Sequence, residues 1–357
     1  MTSILRVNEP LTDKPKSRKD KTMKKDSKTG SDKIKEMVSE KLIEGLQKAI
    51  DKGVGSWQMP WNGGNSFPKN FKSGKGYRGI NILTLGLQGY ESPTWLTFKQ
   101  AFEEALRQAK ADGREIEERI EKNRRGIPQV KHYENGKLFK GGVKKGEKST
   151  PVIYWSWLYK DEAGKTVKDR KLAAKKIPML RYFQVFNIAQ CEGIKDKWQP
   201  APDKEHNPIK EAEQMVENMP NAPEITFKEA KAYYRPAMDS VNMPRLGLFR
   251  SAEEYYSTLF HELIHSTGHK SRLDREGITE FAGFGSETYS KEELVAEMGA
   301  AMLCAITGVK NEAMEKNQVS YLRGWIKALK DDINLAVSAG GQAQRAVDYI
   351  EGTEFED

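Results

Sequence analysis

The sequence predicts an α+β chain of two domains. Three observations carry that expectation. The chain has 357 residues, more than one ordinary domain of roughly 100–200 residues. Its charge is divided: residues 1–181 hold 40 Lys and Arg against 22 Asp and Glu, a net +18, whereas residues 182–357 hold 19 against 29, a net −10. Finally, runs of β-branched and aromatic residues concentrate in the first half, while amphipathic helical faces dominate the second.

Composition narrows the classes. Hydrophobic residues make up 37% and charged residues 31%, enough apolar material for cores and too polar for an integral membrane protein. No run of ~18 apolar residues occurs, and the N-terminus shows no apolar signal region. The two cysteines, Cys191 and Cys304, form no CxxC pattern. A reducing cytoplasm is therefore the expected compartment, with no membrane partner. The charge split points to a polyanion contact by the first half, a basic surface kept for solubility being the plainer alternative.

The elements follow in order. Residues 1–32 are Lys-rich and almost devoid of apolar side chains, so a disordered basic tail is expected. Ile34, Met37, Val38, Leu42, Ile43 and Leu46 recur at three- and four-residue spacing, a helix from Ser31 to about Gly53. Trp57 to Tyr77 is rich in turn residues and reads as loop. Apolar structure resumes at Ile80–Leu87. Ser92-Pro93-Thr94-Trp95 is expected to cap a helix through Phe98, Phe102 and Leu106. The highly charged stretch 107–125 either extends that helix or forms an exposed insertion. Pro151–Tyr159 and Arg181–Ile188 read as the strands of a hairpin.

Beyond a polar, Pro-containing linker at 198–208, helices are expected at Ile209–Met219, at Glu253–Thr267 and at Lys291–Thr307. Gly268 stops the second, and the third has Ser290 as N-cap and Gly308 at its end. Two more follow at 318–335 and 341–351. Short strands are expected within Glu224–Tyr234 and at Ser240–Pro244. The strand at 240–244 precedes the histidine helix, where it is either a pairing edge for an extended peptide substrate or an ordinary edge strand.

Residues 261–265 read His-Glu-Leu-Ile-His. Two imidazoles four residues apart lie on one helical face, so both can reach one metal ion. Glu262 stands beside the first of them, where the general base of a metal-assisted hydrolysis belongs. The chemistry suits a zinc-dependent metallopeptidase with Zn2+ held by His261 and His265, although Mn2+ and other divalent ions suit the same donors. A catalytic site needs a third protein ligand. Glu293, on the downstream helix, gives a gluzincin-like set, with Glu297 one turn on and able to orient a ligand histidine. Glu292 and His269 are the alternatives, although Gly268 separates His269 from the helix. A carboxylate-rich two-metal nuclease fits the pattern less well.

In the first half the signal is aromatic residues interleaved with cations. Trp57, Trp61, Phe67, Lys69, Phe71, Lys72, Lys75, Tyr77 and Arg78 fall in the expected loop, and Lys140, Lys144, Lys145 and Lys148 follow in a Gly-rich stretch. Single strands are bound by stacking on aromatics together with a cationic track for the backbone. The aromatics could equally plug a small core. No helix-turn-helix or CxxC finger is present, so sequence-specific duplex reading is not indicated.

Together these residues resemble the ArdC-type antirestriction proteins of conjugative plasmids and phages. The likeness is carried by Tyr-Arg-Gly-Ile-Asn-Ile-Leu at 77–83, Ser-Pro-Thr-Trp-Leu-Thr-Phe-Lys-Gln-Ala at 92–101, Val-Lys-Lys-Gly-Glu-Lys-Ser-Thr-Pro-Val at 143–152 and Phe-Gln-Val-Phe-Asn-Ile-Ala-Gln at 183–190. In the second half it is carried by Tyr255 through His269 and by Glu-Glu-Leu-Val-Ala-Glu at 292–297. It spans roughly residues 33–351. The resemblance implies an N-terminal single-stranded-DNA-binding domain, which also occurs in plasmid primases, and a C-terminal zincin-like metallopeptidase domain. The associated role is protection of incoming DNA from host restriction. It adds Asn81 to Tyr77 and Arg78 as candidate DNA contacts. The expected organisation is thus a tail at 1–32, a DNA-binding domain at 33–190, a linker at 191–208 and a zincin-like domain at 209–357. A protein substrate, of unspecified identity, is the expected partner of the second domain, unless the metal site is non-catalytic and protection is steric.

Overall fold

In the computed structural model of the chain, residues 29–51, 67–197, 208–279, 287–309, 318–332 and 334–353 are described. The basic segment up to residue 28, the candidate contacts Trp57 and Trp61, and linker residues 198–207 lie outside them. Helix α1 spans Gly30–Asp51. Thr29 caps it: its hydroxyl accepts from the Asp32 N–H at 3.2 Å, and the Asp32 carboxylate accepts from the Thr29 N–H at 3.0 Å. Val38, Leu42 and Leu46, four residues apart, form its fully buried stripe.

Strand β1 (Lys69–Asn70), helix α2 (Ile80–Gly86), strand β2 (Thr94–Thr97) and helix α3 (Phe98–Ala111) follow. The expected cap at Ser92–Trp95 is instead the entry into β2. Thr94, Trp95 and Leu96 are all buried, and two of them are strong β-formers, so tertiary burial draws the segment into the sheet. Thr97 takes the capping role: its side chain accepts from the Gln100 N–H while the Gln100 side chain accepts from the Thr97 N–H. The charged stretch beyond is a projecting antiparallel arm of β3 (Ile116–Lys122), β4 (Pro128–Glu134) and β5 (Lys137–Leu138).

Strand β6 (Gly142–Val143) leads to the long pair expected from the sequence, β7 (Thr150–Lys160) and β9 (Lys175–Asn187), with short β8 (Thr166–Val167) between them. The β7–β9 register is unbroken from Thr150 opposite Val185 to Lys160 opposite Lys175. The main sheet runs β1-β2-β9-β7-β8, with only β1 and β2 parallel. Strand β10 (Cys191–Glu192) pairs with β6.

The second half opens with α4 (Pro208–Asn218), then a small sheet of β11 (Glu224–Thr226), β12 (Tyr233–Arg235) and β13 (Ser240–Asn242). Its order is β11-β13-β12. Strand β13 is therefore central, with both sides paired, and cannot be the pairing edge its position before the histidine helix suggests. Helices α5 (Ala252–Thr267), α6 (Glu276–Thr279), α7 (Glu287–Thr307), α8 (Gln318–Asp331) and α9 (Leu335–Ile350) complete the chain. Helix α7 is already formed at Glu287, which places Ser290 inside it rather than at its cap.

The two halves share a core. Val38, Leu42 and Leu46 of α1, Ile80 and Leu83 of α2, and Ile153 and Leu180 of the main sheet belong to the same buried cluster as Leu263, Leu294, Ala339 and Val347. The backbones of α2 and α9 approach each other closely. A Cβ at Gly340 would stand 2.7 Å from the Ile80 backbone nitrogen, so only glycine fits there. No helix among the described residues is long and apolar enough to cross a membrane.

Candidate metal centre

Ser251 starts α5 by accepting from the Glu254 N–H, and Leu259, Phe260, Leu263 and Ile264 anchor the helix in the core. That register leaves His261 and His265 on a partly open face toward α7. The two helices pack closely because Gly299 has no side chain: a Cβ there would meet Ile264 at 2.6 Å. The close approach brings the Glu293 carboxylate between the two imidazoles.

The distances form a tripod. His261 Nε2 and His265 Nε2 are 3.1 Å apart, Glu293 Oε2 is 3.6 Å from His261 Nε2, and Glu293 Oε1 is 3.5 Å from His265 Nε2. Ligand bonds of about 2.05 Å at tetrahedral angles place donor atoms roughly 3.3 Å from one another. The three side chains therefore fit a single divalent ion. Among the described residues this trio is the one group of His, Cys, Asp or Glu that could hold a metal.

The outer nitrogens of both rings meet carboxylates. Glu297 lies 3.6 Å from His261 Nδ1, and Glu292 lies 3.3 Å from His265 Nδ1. Such partners fix the ring orientation and leave Nε2 for a metal. Glu292 is in turn clamped by Arg275, whose Nε donates to Oε2 at 3.0 Å and whose Nη2 donates to Oε1. Arg275 also donates to the Ile264 carbonyl at 2.8 Å and to Thr267 Oγ1 at 2.6 Å. It thus serves the unpaired carbonyl end of α5. Sequence reasoning missed this residue: it lies ten positions past His265, after the helix ends, in no recognisable spacing.

Electrostatics favour a cation at the centre. Burial alone would lower the His265 pKa, but hydrogen bonds to Glu292 and Glu293 outweigh it and raise the value to about 10. His261 is raised against burial by Glu293 and Glu297. Burial would lift Glu293, yet the two histidines hold it far below the usual carboxylate range. Glu262 is buried beside the tripod, and its carboxylate makes no hydrogen bond to any described residue.

The two alternatives for the third ligand stand elsewhere. Glu292 sits behind His265, as above. His269, past the end of α5, turns to Ser271 Oγ at 2.7 Å and lies 3.9 Å from Asp239. Asp239 is the hub of a separate cluster: Arg272 donates to both its oxygens at 2.8 and 2.9 Å, and the Tyr234 hydroxyl donates at 2.8 Å.

The candidate DNA contacts are dispersed. Lys75, Lys145 and Lys148 are exposed, and exposed Lys144 donates to the Ala189 carbonyl at 2.9 Å. Tyr77 is largely enclosed against Leu85, Trp95 and Val152, and burial raises its pKa. Arg78 pairs with Asp348 of α9 across the junction of the halves. Asn81 is buried, and its amide is spent on Ile153: it donates to the carbonyl at 2.7 Å and accepts from the N–H at 2.8 Å. The Tyr-Arg-Gly-Ile-Asn motif thus joins α2 to the sheet and to α9.

Comparisons with known proteins agree with this architecture. Residues 33–186 match the family model of the N-terminal domain of the anti-restriction factor ArdC, and residues 210–342 match that of a zincin-like metallopeptidase. Two DNA primases TraC of Escherichia coli are 34% and 33% identical over 88% of this chain, which spans only 20% and 27% of their length. An uncharacterised protein y4eC of Sinorhizobium fredii is 30% identical over 88% of this chain and 91% of its own. Crystal structures of the antirestriction protein ArdC from plasmid R388 superpose with TM-scores of 0.60 (metal-free, 29% identical, 90% of this chain and 99% of that one) and 0.58 (Mn(II)-bound, 30% identical, 89% and 97%). The chain, with its ArdC N-terminal domain followed by a zincin-like domain, belongs to the ArdC family of antirestriction proteins.

Proposed function

We propose that this chain is a cytoplasmic antirestriction protein that binds single-stranded DNA and carries a metallopeptidase site, and that it protects incoming plasmid or phage DNA from host restriction. The observation that carries the catalytic part is the His261–His265–Glu293 tripod with, beside it, the Glu262 carboxylate, which hydrogen-bonds to no described residue. A divalent ion held there supplies Lewis-acid polarisation of a substrate carbonyl. Zn2+ suits the donor set, and the Mn(II)-bound relative supports Mn2+ equally. Glu262 takes the proton from the attacking water and returns it to the leaving amine. Glu292 and Glu297 hold the two imidazoles in register. The DNA part is supported by the match to the ArdC N-terminal domain and by the net +18 of residues 1–181.

The test compares wild type with Glu262→Ala for protection of transforming DNA against a host restriction enzyme, with metal content measured in both. The expected result is retained metal and lost protection. Retained metal with full protection would show that hydrolysis is not the means, and protection would then rest on DNA binding alone.

A further inference from the structure

Two hairpins project from the first half, and they differ in how their charge is held. Residues 112–138, around the β3–β4 arm, carry seven Lys and Arg against six Asp and Glu. Arg114, Arg119 and Lys131 there are each bound to a glutamate: Glu134, Glu117 and Glu121. Residues 150–187, the β7–β9 ribbon, carry eight against three. None of the ribbon's cations is held in an ion pair with another described residue. The ribbon's positive charge is therefore available to an external anion.

Its aromatics are available as well. Five of the seven exposed large aromatics among the described residues lie on this ribbon. Side chains alternate along a strand, and opposed residues share a face. Trp155 and Trp157, with Tyr182 opposite Ile153, consequently lie on one face, at 54%, 41% and 46% exposure. On the reverse face Tyr154 and Phe183 stack on each other, with centroids 5.3 Å apart and planes within 1°. Trp155, Trp157 and Tyr182 make no such ring contact with a described aromatic. Lys176 stands 3.7 Å from the Trp157 ring centroid, a cation beside a stacking surface. The same face borders a groove of about 820 Å³ whose other wall is α1, with Lys33, Ile34 and Met37, a size within the usual range of ligand clefts.

We propose that the Trp155–Trp157–Tyr182 face of the β7–β9 ribbon is the platform on which single-stranded DNA stacks, with the ribbon's lysines contacting its phosphates. This deepens, and rests on, the single-strand reading above. Trp155 and Trp157 stand about 7 Å apart by strand rise, which suits successive bases of an extended strand. Stacking and a cationic track together make sequence-tolerant single-strand sites.

The test is fluorescence anisotropy of a labelled oligothymidine with the full chain, over a range of salt. Trp155→Ala combined with Trp157→Ala is expected to weaken binding at least tenfold. Lys168→Gln, Lys175→Gln and Lys176→Gln together lower the salt slope by about 0.7 for each phosphate that is no longer neutralised. Phe227→Ala, an equally exposed aromatic in the other half, leaves binding unchanged. Wild-type affinity in the double tryptophan variant, with an unaltered thermal transition, would overturn the platform while leaving the single-strand reading intact. Equal loss of affinity for a duplex of the same length would also overturn it, since a duplex presents no free base faces. Absence of any binding by the wild type would remove the single-strand reading, and the platform with it.

Discussion

Replacing Arg275 by methionine separates what holds the site together from what tunes it. The Arg275 and Glu292 side chains are 7% and 4% exposed, so the substitution leaves a buried carboxylate whose remaining partner is His265 Nδ1 at 3.3 Å. Removing one partner of a buried pair costs about 3–5 kcal/mol. The Ile264 carbonyl also loses a donor, although Thr267 Oγ1 still donates to it at 2.6 Å, so that loss adds only about 1 kcal/mol. Urea unfolding in the presence of a chelator reads the cost without a contribution from metal. Adding Glu292→Met removes the stranded charge, and most of the lost stability should return, because apolar replacement of a buried pair is often neutral. Metal affinity should not return with it: His265 has lost its outer partner, and such losses cost roughly 10–100-fold. A cost under about 1 kcal/mol for Arg275→Met, or metal binding by the double variant as tight as in wild type, would contradict the place given to Arg275 and Glu292 behind His265.

Other consequences concern the junction, acid stability and the thiols. Gly340→Ala places a methyl 2.7 Å from the Ile80 backbone; overpacking of about 1–3 kcal/mol exceeds the helix-propensity gain of about 1 kcal/mol, and both halves should unfold together at a lower temperature in calorimetry. Asp239 is held below the usual carboxylate range by Arg272 and Tyr234 against the opposing effect of burial. Its stabilisation is therefore complete above the ordinary value of about 4 and is lost as pH falls through the folded one. Wild type and Asp239→Asn should differ in stability at neutral pH and converge in acid. Burial pushes the Cys191 thiol up to about 11 and that of Cys304 to about 12, so neither should be alkylated by iodoacetamide at pH 8 until the chain is unfolded, as mass spectrometry would show.

Where pattern and local chemistry coincide, the sequence was sufficient. The period of Val38, Leu42 and Leu46 marked α1, the β-formers of 151–159 and 181–188 marked the long hairpin, and the spacing of His261 and His265 marked one helical face. The two glutamates of α7 could be ranked only by packing: a one-residue difference puts Glu293 in the tripod and Glu292 behind His265. Trp95 misled because a capping pattern and a buried strand can share the letters Ser-Pro-Thr-Trp, and burial decided. The ribbon's exposed tryptophans read as strand formers, since alternation cannot say whether a face is covered. Asn81 and Arg78 stood out as a motif, but their partners Ile153 and Asp348 lie 72 and 270 residues away, beyond any local signal.

The most direct measurement is the stoichiometry and affinity of Mn2+ and Zn2+ binding by equilibrium dialysis for wild type, His261→Ala, His265→Ala, Glu293→Gln, Glu292→Gln and Glu262→Ala. The expected result is one ion per wild-type chain, loss of binding in the first three variants, roughly 10–100-fold weakening in Glu292→Gln, and full binding in Glu262→Ala. Undiminished affinity in Glu293→Gln, or loss of the ion in Glu262→Ala, would contradict the tripod and the role given to the carboxylate beside it.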